Sequence, residues 1–172
     1  MLLCELLRDL AGQLDPALKI GDCAPRLKPA IEALRLPTWL MQLLWWSWVN
    51  KAGELRGIYF LQPVSKILKH RDLQRMLAER LLPIGSASQG DELVIRFQDQ
   101  GGAVGLLSHE EIYSSPRLLD NYHEICPTLE EFLLRVVDRM FLPRDSYSAR
   151  EYASLRAQMR TDTNTPSNPT PN

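Results

Sequence analysis

Apolar residues recur every three to four positions in three parts of the chain, as on the buried face of an amphipathic helix. These parts are residues 2–14, 64–80 and 128–141. The third begins with Thr128 and Glu131, whose spacing is that of a capping box. Ser148 and Glu151 repeat this spacing, so we predict a last, polar helix that runs to about Arg160.

Four tryptophans lie within ten residues, in the most apolar stretch of the chain: Trp39, Trp45, Trp46 and Trp48. We predict a helix that Thr38 caps and that runs to about Asn50. A helix that is apolar on nearly every side is buried on most sides, which favours a core position. The alternative is that Trp45 or Trp48 protrudes as an anchor for a partner, and the sequence leaves both interpretations open.

Runs rich in branched and aromatic residues predict strands at 57–62, 82–85, 91–97 and 103–107. The last two runs are joined by a polar loop with two glycines, which predicts an antiparallel hairpin over 91–107. Residues 108–127 show no period and are interpreted as irregular. Strands and helices do not alternate, so we predict an α+β fold in which helix 128–141 packs on an antiparallel sheet.

Composition and charge exclude several classes of protein. The chain has 172 residues and a net charge of −1, without the clustered basic residues that nucleic-acid binding requires. Its apolar runs are shorter than the roughly 20 residues of a membrane span. The first residues are interrupted by charges, unlike a signal peptide, so we expect a cytoplasmic protein. The three cysteines are widely spread, which argues against a disulfide scaffold or a zinc site.

The sequence contains no phosphate-binding glycine loop and no nucleophile elbow. The histidines, at positions 70, 109 and 123, lack the spacing of metal ligands, so we expect no metal and no cofactor. The one enzymatic alternative is a small hydrolase that uses Asp91, Glu92 and His109, because paired carboxylates can perform acid–base chemistry when burial raises one pKa. Our prediction is that the chain is not an enzyme.

A series of short motifs occurs in a characteristic order. They are Leu36-Pro37 before the aromatic helix, Asn50-Lys51-Ala52-Gly53 after it, Ile58–Leu61, Leu82-Pro83-Ile84-Gly85, Gly90–Ile95, Val104-Gly105, His109-Glu110, and Thr128–Val137. Their order and spacing resemble those of the SMI1/KNR4, or SUKH, superfamily. The resemblance covers residues 25–142. It leaves residues 1–24 as an N-terminal helix and linker, 143–160 as a C-terminal helical arm, and 161–172 as a tail that we expect to be disordered.

The resemblance implies a single α+β domain with a twisted antiparallel sheet flanked by helices. It also implies a non-catalytic function. Bacterial members of the superfamily are immunity proteins that neutralise polymorphic toxins, and fungal members are scaffolds in cell-wall signalling. The first function is our main expectation, with a toxin domain as the partner, and the second is the alternative. The oligomeric state stays open.

A partner-binding surface is predicted from the residues that suit a tight protein interface. Acidic groups speed the encounter with a basic partner and form ion pairs with it, and tyrosines are common anchor residues at the centre of an interface. Acidic residues occupy the turns around the hairpin, and tyrosines lie on the first strand and in the segment after the hairpin. The predicted set is Tyr59, Asp91, Glu92, Asp99, Glu110, Glu111, Tyr113 and Tyr122.

Overall fold

A computed structural model describes Leu7 and residues 18–162, with only the backbone described for 156–162. The helices of this part are α1 (Lys28–Glu32), α2 (Thr38–Trp46), α3 (Val64–Ile67), α4 (Leu73–Ala78), α5 (Leu129–Val137) and α6 (Ser146–Asp162), with 3-10 turns at Pro25–Leu27 and Leu118–Asn121. The strands are β1 (Ile20–Gly21), β2 (Trp48–Val49), β3 (Gly53–Leu55), β4 (Tyr59–Leu61), β5 (Leu81–Ala87), β6 (Glu92–Phe97), β7 (Gly102–Leu107) and β8 (Tyr122–Cys126).

The strands form two antiparallel sheets, which confirms the predicted α+β class. Strands β1 and β2 pair with each other, and β3 to β8 form a six-stranded sheet in sequence order. The hairpin prediction is also confirmed, with Glu92 opposite Leu107 and Phe97 opposite Gly102. Gly101 closes its loop at φ +80°, a conformation that glycine adopts without steric cost. Within the described residues, no helix has both the length and the apolar character needed to cross a membrane.

Side chains alternate between the two faces of the sheet along each strand. At the centre of the six-stranded sheet, the side chains on both faces are buried. On β6, Leu93 and Ile95 join the main core. Val94 points the other way, into a smaller cluster with Met76 of α4 and Ile112 of the segment after β7. The sheet therefore lies between two apolar clusters, one on each face.

Helix α5 packs on the main-core side of the sheet, as predicted. Phe132 is fully buried, and its ring meets that of Tyr59 edge to face, with centroids 5.2 Å apart. The Thr128 side chain accepts a hydrogen bond of 3.0 Å from the Glu131 amide, which confirms the predicted cap. The helix ends at Val137, four residues before the predicted end, because Arg139 adopts a left-handed conformation with φ 55°.

The aromatic helix ends earlier than predicted. Helix α2 stops at Trp46, and Trp48 instead belongs to β2, where its ring is 1% exposed and its Nε1 donates to the Gln62 carbonyl. Trp48 and Val49 pair with β1 and are therefore extended, a conformation that aromatic and branched residues favour. Trp48 is thus a core residue. Trp46 is 40% exposed, and the Lys28 ammonium lies 3.7 Å from its ring centroid.

Other boundaries also differ from the prediction. Residues 64–80 form two short helices, and between them His70 Nδ1 accepts a hydrogen bond from the Asp72 amide. The segment 108–127 contains a strand, β8, which pairs with β7. Strand β3, at Gly53–Leu55, is not among the predicted strands either. Short strands of this kind are formed by their neighbours more than by their own composition.

The ends of the chain are only partly described. Of the predicted helix 2–14, Leu7 alone lies within the described part, and it is helical and buried. At the other end, α6 begins at Ser146 instead of Ser148. Asp145 Oδ1 accepts from the Ser148 amide and Ser148 Oγ accepts from the Asp145 amide, so Asp145 caps the helix. Residues 161 and 162 are helical rather than disordered, and residues 163–172 lie outside the described part.

We expect Phe132→Ala to lower the free energy of unfolding by about 3–5 kcal/mol, because it leaves a cavity between α5 and the sheet. Leu134→Ala on the same helix is the matched control. Leu134 is 39% exposed, so its loss should cost less than about 1 kcal/mol. Urea unfolding of both variants measures the difference. Equal destabilisation would contradict the described packing of α5.

Candidate functional site

Most of the predicted partner residues lie at one end of the six-stranded sheet. At this end, Leu107, the last residue of β7, pairs with the first residue of β6, Glu92, and with the first residue of β8, Tyr122. The loop before α4 and the start of α6 adjoin it through side-chain contacts. We name this region the hairpin-end surface and define it by Asp72, Glu92, Glu110, Glu111, Tyr113 and Tyr147.

Asp91 holds the segments of this end together. Its side chain is almost fully buried and accepts three hydrogen bonds: from His109 N at 3.0 Å, from His109 Nδ1 at 2.8 Å and from Ser146 N at 2.6 Å. Burial by itself would raise the pKa of this carboxyl, but the hydrogen bonds from His109 and Ser146 lower it below 3.8. Asp91 therefore joins the start of β6, the segment after β7 and the first residue of α6.

This burial corrects one part of the predicted partner surface. Asp91 is 2% exposed, so it positions the surface instead of contacting a partner. Burial follows from its contacts with residues 18 and 55 positions away along the chain. The sequence does not show these distant partners, so a buried carboxylate in a turn looks the same in the sequence as one that faces solvent.

The three residues of the hydrolase alternative do not come together at one site. Asp91 contacts His109, whereas Glu92 Oε1 lies 3.2 Å from His70 Nε2. Consecutive strand residues point to opposite faces, which separates Glu92 from the other pair. The His70 pKa is raised, mainly by the hydrogen bond to Glu92. Within the described residues, no group of three or more histidine, cysteine or acidic side chains is arranged to hold a metal ion.

Helix α6 holds the two glutamates that follow His109. The Tyr147 hydroxyl donates to Glu110 Oε2 at 3.0 Å, and this hydrogen bond is the main reason that the Tyr147 pKa is raised. Arg150 lies 3.4 Å from Glu111 Oε2 and also 3.4 Å from His123 Nε2. Burial and the positive charge of Arg150 lower the His123 pKa. Both glutamates are thus held by side chains from one face of α6.

Tyr113 is an exposed aromatic residue in a loop that other side chains hold in place. Its ring is 58% exposed, with the Arg71 guanidinium 4.3 Å from the ring centroid and Asp72 Oδ2 3.4 Å from its hydroxyl. Helix α4 and the residue that follows it anchor the loop. Arg75 donates to the carbonyls of Ile112 and Ser115, and Glu79 accepts from the amides of Leu118 and Leu119.

Three other predicted residues lie outside the surface. Tyr59 is 1% exposed, packs against Phe132 and donates to the Pro143 carbonyl, because it occupies an inward position of β4. Tyr122 packs against the smaller apolar cluster, and its hydroxyl is buried. Burial raises the pKa of both phenols. Asp99 is exposed, but it lies in the hairpin loop at the other end of β6 and pairs with Arg80 at 2.6 Å.

The sequence interpretation missed four residues of this region: His70, Asp72, Tyr147 and Arg150. A signal existed for the last two, since residues three apart lie on one face of a helix and both were within or next to the predicted last helix. Nothing in the sequence linked that helix to the hairpin.

We expect Asp91→Asn to lower the free energy of unfolding at pH 7 by about 2–4 kcal/mol, since an amide cannot accept three hydrogen bonds as a carboxylate does. Asp99→Asn is the matched control, because the Asp99 side chain is 91% exposed and its change should cost less than about 0.5 kcal/mol. Thermal unfolding of the two variants tests this. A near-neutral Asp91→Asn would show that the carboxylate does not hold these segments together.

The same carboxylate predicts a pH dependence. Its folded-state pKa lies below the ordinary value of 3.8, so its stabilisation is present above about pH 4 and is lost as the pH falls through the folded-state value. The difference in unfolding free energy between the natural chain and Asp91→Asn should therefore shrink in strong acid. Urea unfolding at pH 7, 4 and 2.5 measures it, and a constant difference would refute the assignment.

No protein-family model matches this chain, and no similar protein was found among either the curated proteins or the solved structures.

Proposed function

We propose that this chain is a non-catalytic protein-binding module, and specifically an immunity protein that neutralises a cognate bacterial polymorphic toxin in the cytoplasm by direct binding. The motif order that resembles the SMI1/KNR4 superfamily supports this proposal. The observation that carries it is the hairpin-end surface, an acidic surface with exposed tyrosines that is held in one arrangement by neighbouring side chains.

The charge of the surface favours a basic partner. The surface has four carboxylates, from Asp72, Glu92, Glu110 and Glu111. Arg71 lies beside Asp72 and Arg150 lies beside Glu111. Glu92 contacts His70, and Glu110 accepts from the Tyr147 hydroxyl. A surface with an excess of negative charge speeds the encounter with a positively charged protein and pairs with its cations. Toxins that cleave nucleic acids commonly carry such charge, because they bind phosphates.

The contacts of the surface favour tight binding. Tyr113 and Tyr147 are each 58% exposed, so both rings are available as anchors. Glu110, Glu111 and Glu92 are each already held by a neighbour, which reduces the conformational entropy that binding would cost. An inhibitor that has to block a toxin in the cell needs these two properties together.

A hydrolase is the second candidate. It is favoured by the contact of 2.8 Å between Asp91 Oδ1 and His109 Nδ1, because the His109 side chain is half exposed. The two functions differ in stoichiometry. A binding module inactivates a toxin only in equimolar amounts, whereas an enzyme would do so at substoichiometric amounts. Titration of the purified chain into a toxin assay separates them. The scaffold alternative predicts no protection of cells at any ratio.

We expect the double variant Glu110→Lys and Glu111→Lys to associate roughly tenfold more slowly at low salt with the cognate toxin domain, and to show a weaker salt dependence. Charge steering is lost in this variant, while Tyr113 remains. Stopped-flow association at several salt concentrations, together with growth of cells that produce the toxin domain, provides the readout.

The control for this experiment is Asp99→Lys, which changes the charge at the other end of the hairpin. It should leave both the association rate and cell protection close to those of the natural chain. Unchanged rates and unchanged protection in the double glutamate variant would discard the hairpin-end surface as the binding site.

A further inference from the structure

A small apolar cleft lies between the β3–β4 turn and the end of α5. Its apolar lining comes from Leu55, Ile58 and Tyr59 on one side and from Val136, Met140 and Leu142 on the other. Its volume is about 210 Å³. Pockets that hold a small-molecule ligand typically measure roughly 300–1,000 Å³, so this cleft suits one apolar side chain rather than a cofactor.

Two arginines complete the lining of this cleft, Arg56 from the turn and Arg139 from the segment after α5. Arg56 donates to the Val137 carbonyl, so its guanidinium is anchored beside the cleft and keeps further donors. Arg139 is exposed. Within the described residues, neither arginine forms an ion pair with a carboxylate. The cleft is therefore apolar inside and positively charged at its edge.

Both arginines have a left-handed backbone, with φ 57° at Arg56 and 55° at Arg139. Glycine or asparagine is the usual residue at such positions, and a larger side chain costs conformational energy. Among the described residues, four non-glycine positions have a left-handed backbone, all of them arginine (Arg35, Arg56, Arg80 and Arg139), and two of the four border this cleft. Met140, which lines the cleft, is 55% exposed, so the apolar lining reaches the protein surface.

We propose that this cleft is a docking site for an acidic peptide segment of a protein partner, which inserts one apolar side chain and places its carboxylates against Arg56 and Arg139. Charge complementarity selects the partner, because arginine pairs with carboxylates through planar, directional hydrogen bonds. The cleft shares no residue with the hairpin-end surface and has the opposite charge. This inference therefore does not depend on the proposed immunity function.

The test uses the full chain labelled with nitrogen-15 and three hexapeptides. The first carries one phenylalanine flanked by glutamates, the second replaces the phenylalanine with alanine, and the third replaces the glutamates with lysines. We expect the first peptide alone to cause saturable amide shifts, centred on residues 56–58 and 139–142. Arg139→Glu should weaken its binding at least about fivefold, since a charge pair becomes a repulsive pair.

Arg117→Glu is the matched control, because Arg117 is also exposed and the net charge changes equally. It should leave the affinity unchanged, and amide spectra of both variants away from the cleft should confirm an intact fold. The proposal is overturned if the first peptide gives no saturable shifts, if the lysine peptide binds equally well, or if Arg139→Glu has no effect. The proposal is also overturned if the chain forms a dimer at the same concentration and Arg139→Glu dissociates it, because the occupant of the cleft would then be a second copy of the chain.

Discussion

The buried carboxylate of Asp91 is the interaction on which the arrangement at the hairpin end depends. A buried charge is stabilised only when its hydrogen-bonding capacity is filled, and three donors from two distant segments fill it here. This requirement fixes where the segment after β7 and the start of α6 lie. Tyr147 and Arg150 are placed against Glu110 and Glu111 as a result.

The rest of the hairpin-end surface is positioned in the same manner by α4 and the residue that follows it. Arg75 and Glu79 bind backbone groups of the segment between β7 and β8, which carries Tyr113. These contacts satisfy polar backbone groups that have no strand partner. An irregular segment thereby becomes a defined surface.

The described part of the chain carries two surfaces of opposite charge. The acidic hairpin-end surface lies where β6, β7 and β8 meet α4 and α6, and the apolar cleft with Arg56 and Arg139 lies between the β3–β4 turn and the end of α5. Segregation of this kind is invisible in the net charge of −1, which sums both surfaces. A chain of nearly zero net charge can therefore present strong local fields.

Local sequence determined those features whose causes are local. The hairpin over 91–107 followed from two alternating runs and a glycine loop, and the start of α5 followed from the spacing of Thr128 and Glu131. The α+β class followed from the order of such elements. The boundaries failed where a neighbour decides the conformation, as at Trp48, which pairing with β1 draws out of the helix.

The tertiary structure alone decided which predicted side chains face solvent. Glu92, Glu110, Glu111 and Tyr113 lie together at one end of the sheet, whereas Tyr59 and Asp91 are buried. The sequence determined the chemical groups available and their order along the strands. Their exposure depends on partners far along the chain, such as Ser146, which lies 55 positions from Asp91. A local pattern cannot encode a contact over that separation, because burial is a property of the packed sheet and helices together.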